Sequence, residues 1–206
     1  MQFLDPVITT FQRGGLVMWP ILLFSLYAIG LIVERWLYYR EQNRMLVENW
    51  TRIRDLGGNP ELGGLDISDA TVIGRVTRAV CDHRHLEKQE QIDKVRNSFS
   101  DERALLEERL STIAVIATLL PMLGLLGTVV GMIAAFDVIA LHGTGNPNLM
   151  AGGISQALIT TEAGLLTSIP IFYLHNTLVN WAEHLVRRLD EYTTHLLHIC
   201  DREEAA

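Results

Sequence analysis

Three stretches of the chain stay free of charge for long enough to cross a lipid bilayer: Leu16–Val33, Ser111–Phe136 and Leu149–Ala182, the last interrupted only by Glu162. A helix rises 1.5 Å per residue, so roughly 20 apolar residues span the hydrocarbon. This pattern predicts an all-α integral membrane protein with transmembrane helices at 16–33, 110–141 and 149–182. Between them fall an outer N-terminal segment (1–15), a cytoplasmic helical region (34–109), an outer loop (142–148) and a cytoplasmic tail (183–206). The first run is read as a retained span. Its only small-x-small triplet, Ala28–Gly30, lies inside the apolar stretch, and the run continues into Arg35, Trp36, Tyr38 and Tyr39, an interfacial anchor.

Basic residues set the expected orientation. Of 17 Lys and Arg, only Arg13 precedes the first run, and "HGTGNPN" (142–148) has none. The remainder lie in 34–109 or beyond Trp181. The positive-inside rule then places the N-terminus and the 142–148 connection outside and the C-terminus in the cytoplasm. The net charge of −7 shows no basic stripe, so no nucleic-acid partner is expected. Cys81 and Cys200 both fall on the reducing side, and neither a disulfide, a metal nor a cofactor is expected.

Helical patterning continues beyond the spans. Phe3, Leu4, Val7, Ile8 and Phe11 follow helical spacing and suit a helix lying at the outer interface. Glu34–Leu56 extends the first helix until "GGNPELGG" (57–64) breaks it. The pattern resumes at about Ser68, and "DERALLEERL" (101–110) enters the second span without a breaker. Two of the three spans are therefore expected to extend into the cytoplasm, the third through Leu185, Leu189, Leu196 and Ile199. No nucleophile–base pair or phosphate loop occurs, so an enzyme is not expected.

The two inner spans carry small faces. On the second span, which contains "PMLGLLGTVVGMIAAF", Ala114, Ala117, Pro121, Gly124, Thr128, Gly131 and Ala135 share one side of a helix. In "GGISQALITTEAGLLTSIPIFYLHN", Ile154, Ala157, Leu158, Thr161, Gly164, Leu165 and Ser168 do so. Counted from the outer helix ends, Thr128 and Thr161 come level about 18–20 Å in, with Pro121 and Pro170 level below them. One reading is close helix packing, for which Gly127-x-x-x-Gly131 is a pattern in itself. The other is a polar lining at Thr128 and Thr161, which three helices alone cannot enclose but several copies in a ring can.

These two motifs, in this order and topology, resemble the inner helices of the ExbB/TolQ/MotA proton-channel family, over about 115–180. Three spans and a short N-terminus look more like ExbB or TolQ than MotA. The resemblance implies a ring, of five copies, in the bacterial inner membrane around an ExbD- or TolR-like dimer of single-span proteins. It also implies coupling through a TonB-like or TolA-like protein to work on the cell envelope. The essential acid would be an Asp on the partner, Thr128 and Thr161 would face the lumen, and Pro121 and Pro170 would match the family's prolines. Two positions depart from the pattern: Gln156 stands where ExbB-type segments carry Glu, and Glu162 where they carry a small apolar residue. Glu162 points about 100° away from Thr161, which leaves three roles open: a proton site, a bond between helices, or the edge of a lumen. Asp137, four residues from the helix end, reads as a rim charge. A non-conducting scaffold that rings and stabilises a partner remains the alternative function.

Overall fold

A computed structural model of the chain describes residues 11, 13–55, 71–83, 87–142 and 147–204. The proposed interfacial helix at 1–15 and the "GGNPELGG" breaker fall largely or wholly outside them. The described residues form five helices and no strand: α1 (Met18–Asp55), α2 (Val72–Asp82), α3 (Lys88–Glu107), α4 (Leu110–His142) and α5 (Pro147–Glu204). α1, α4 and α5 each contain a stretch long and apolar enough to cross a membrane. The chain divides into two compact units, residues 1–33 with 109–176 and residues 34–108 with 177–206.

α1 buries Ile21, Ser25, Ala28, Ile32, Arg35, Tyr39, Gln42, Leu46 and Asn49. The steps alternate between four and three residues, the seven-residue repeat of helices that wind around a partner. On α5, Ala157, Ile171, Leu178, Leu185 and Tyr192 fall on the same repeat.

In the second unit α1 serves as a post to which helix ends are tied. The first amides of α2 lack helical partners. The Thr71 side chain accepts from Gly74 N at 3.0 Å, and Gln42 Oε1 accepts from Val72 N at 3.1 Å. α2 then buries Val72, Ile73, Val76, Ala79 and Val80 along one face, and α3 buries Val95 and Leu106. Arg75 forks onto the buried Glu102 through two contacts of 2.5 Å. α5 is fixed by Thr77 to Tyr192 (3.0 Å) and by Arg188 to Asn43 (2.8 Å).

One expectation fails here. The run 101–110, free of Gly and Pro, was expected to pass into the second span unbroken, yet α3 ends at Glu107 and α4 begins at Leu110. Glu108 is extended (ψ 144) and Arg109 is left-handed (φ 66), the only such non-glycine among the described residues. For an L-residue that conformation costs roughly 1–2 kcal/mol. The compensation is tertiary: Arg35 donates to Leu105 O at 3.1 Å and to Glu108 Oε2 at 3.1 Å, and Tyr39 donates to Leu106 O at 2.6 Å. Burial pushes the Tyr39 phenol up to about 12, so it remains a donor at any physiological pH.

Candidate functional site

The first unit is organised by the contact between α4 and α5, and that contact is made of the small residues. A Cβ added at Gly131 would lie 2.7 Å from both Ala157 N and Gly153 O. One added at Gly124 would lie 3.1 Å from Thr160 O and Thr161 Cα, and one at Gly164 would lie 2.7 Å from Leu120 O. Gly127 holds the side chain of Thr160. The helices approach backbone to backbone because no Cβ intervenes at these places, which is how small residues drive packing in lipid. Pro121 and Pro170 lie inside their helices without ending them.

Thr160 is the polar residue that the sequence reading missed. It is fully buried, and its hydroxyl reaches Ala157 O at 2.9 Å and Gln156 O at 3.1 Å in its own helix. The buried face of α5 is Ala157, Thr160, Gly164, Ser168 and Ile171, so it is centred one position away from Thr161. The presence of Gly127 opposite was the signal available for it.

Thr161 consequently occupies the edge of the seam. It is half-buried, and its hydroxyl donates to Gly124 O across the seam at 3.1 Å or to Ala157 O at 3.2 Å. Thr128 is half-buried on α4 and donates to Leu125 O at 2.6 Å. The contacts set a different register from the one counted from helix ends. Thr161 meets Gly124, so Thr128 lies four residues, about 6 Å, farther along α4. The two threonines are thus one turn apart in depth rather than level.

Glu162 is exposed on α5 and makes no hydrogen bond or ion pair with the described residues. Its depth can be read from the start of α1. Cβ atoms built at Gly14 and Gly15 would meet Ile159 and the Gln156 amide, and Gly15 itself is left-handed (φ 70). Glu162 is therefore only six residues, about 9 Å, along α5 from the point where the first apolar helix begins. The exposed Trp19, edge-on to Phe11 at 5.0 Å, marks that same end. Tryptophan is characteristic of the membrane–water boundary. The acid thus lies toward one end of the first span, where a carboxylate is tolerated far better than at the bilayer centre. Asp137 is exposed near the end of α4, as a rim charge would be. Among the described residues no group of His, Cys, Asp and Glu is placed to hold a metal.

Three spans and this glycine-lined seam coincide with a match to known proteins. The profile of the MotA/TolQ/ExbB proton channel family covers residues 68–191. The chain belongs to this family. It is 27% identical to the biopolymer transport protein exbB1 of Vibrio cholerae over 87% of this chain and 82% of that one. It is 30% identical to the putative biopolymer transport protein ExbB-like 1 of Synechocystis, over 82% and 69% respectively. It is 37% identical to the Tol-Pal system protein TolQ of Haemophilus influenzae over a shorter region, 45% of this chain and 42% of that one. The family is one of transport-associated channels.

Proposed function

We propose that this chain is the ring-forming subunit of an ExbB/TolQ-type motor driven by the proton-motive force. Five copies surround the membrane helices of an ExbD- or TolR-like dimer in the bacterial inner membrane, and proton flow is coupled through a TonB-like or TolA-like protein to work on the envelope. The N-terminus faces the periplasm, the C-terminus faces the cytoplasm, and the charged ends of α1 and α5 extend below the membrane.

The observation that carries this reading is the way the small faces are used. Gly124, Gly127, Gly131 and Gly164 are consumed inside the subunit, so the hydroxyls left at the border of the seam are those of Thr128 and Thr161. They sit on helices whose other surfaces expose Leu125, Val129, Leu158 and Leu165. Such a polar strip acquires water and a titrating partner when several copies close around it. Thr161→Val keeps shape and removes the hydroxyl. Native mass spectrometry should still show the ring, while function dependent on the proton-motive force collapses. Full activity of the variant overturns the role of Thr161.

The scaffold reading also has an observation in its favour: the Thr161 hydroxyl already has a partner in Gly124 O. Under that reading Thr161→Val lowers ring yield and leaves the surviving rings active.

A further inference from the structure

In an unbroken helix the carbonyl of each residue accepts the amide four places on. The oxygens of Leu105 and Leu106 would then be taken by Arg109 and Leu110. The break at Glu108–Arg109 releases both oxygens, and both are claimed by α1: Leu105 O by Arg35 at 3.1 Å and Leu106 O by Tyr39 at 2.6 Å. Arg35 also grips Glu108, inside the break, at 3.1 Å. Its charge sits at the C-terminus of α3, where the helix dipole favours a cation. Both side chains are buried and one turn apart.

The local sequence prefers the opposite outcome. Ala104, Leu105, Leu106, Glu107, Glu108, Arg109 and Leu110 are all strong helix formers, with no Gly, Pro or Asn to stop the winding. A break in such a run is imposed from outside it.

We infer that Arg35 and Tyr39 are positioning residues for α4: together they hold the chain broken at Glu108–Arg109, and so fix where α4 starts. The effect on transport rests on the channel reading above, whereas the effect on the break does not.

The test uses the full chain in detergent and reads backbone hydrogen exchange across 108–111, with proton-driven function measured separately. In Arg35→Met/Tyr39→Phe the helix should close through the break. Arg109 and Leu110 then lie inside one continuous helical ladder instead of a turn, and exchange across 108–111 slows by tenfold or more although side-chain hydrogen bonds have been removed. Adding Arg109→Gly, which favours the left-handed conformation, should restore both the faster exchange and the function. Unchanged or faster exchange in the double variant overturns the inference, because it shows a break that persists or simply frays without the two side chains. If exchange responds as stated while function does not, the positioning stands and the channel reading falls.

Discussion

Gly131→Ala adds one methyl group at the tightest part of the seam between α4 and α5. The new Cβ would stand 2.7 Å from Gly153 O and Ala157 N and 2.8 Å from Ala157 Cβ. Ordinary contacts of this kind are about 3.5–4 Å, so the helices must part by roughly 1 Å. Backbone atoms form two of the three contacts, and no side-chain rotation relieves them. Overpacking of this size costs about 1–3 kcal/mol, against a gain of up to ~1 kcal/mol from replacing a helical glycine. Because two of the contacts are with backbone that cannot yield, the cost falls in the upper part of that range and the expected net loss is about 1–2 kcal/mol, seen as a lower midpoint in thermal denaturation of the purified protein in detergent, followed by tryptophan fluorescence. Gly153 is the mirror case, its Cβ meeting Gly131 O at 2.7 Å and Ala135 Cβ at 2.8 Å. One separation of the helices relieves both clashes, so the double variant should lose less than the sum of the singles. Gly30→Ala, whose Cβ would meet nothing within 4 Å, is the control and should show no clash penalty. A Gly131→Ala protein as stable as the parent, or strict additivity with Gly153→Ala, refutes the backbone-to-backbone seam.

Two further outcomes are expected. Glu162→Gln should keep both ring and activity, while Glu162→Leu should reduce ring yield by stranding polar partners on neighbouring chains; loss of activity in both variants with rings intact would assign proton transfer to Glu162 instead. Arg75→Met leaves the Glu102 carboxylate, 8% exposed, without its guanidinium and should lower stability by on the order of 3 kcal/mol; denaturant titration within a few tenths of the parent would show the pair to be dispensable.

The spans were legible because charge is excluded from long runs, and no local preference competes with that signal. The small faces of α4 and α5 were also legible as small. What they face was not, since packing inside a subunit and lining a lumen select the same residue types. The face buried inside the subunit centres on Thr160, one helical position from Thr161, and the glycine opposite, Gly127, is the only sequence signal for it. Register failed for a related reason: apolar runs end where lipid ends, whereas the offset between helices is set by which backbones fit together. The seven-residue repeat of α1 escaped notice because Ser25, Arg35, Gln42 and Asn49 occupy its buried positions. The break at Glu108–Arg109 had no local signature, since it depends on Arg35 and Tyr39, some 70 residues earlier.

α5 runs from Pro147 to Glu204 without interruption, 58 residues and therefore about 87 Å of continuous helix. A helix passes twist and axial displacement along its length because each turn is bonded to the next, and the one bond lost inside α5 to a proline is at Pro170, which has no N–H. The route through α3 and α4 has a joint at Glu108–Arg109, where the ladder of backbone bonds stops. Of the two threonines at the seam, Thr161 therefore rides on the helix that continues past the apolar stretch, and Thr128 on the one that begins at the joint.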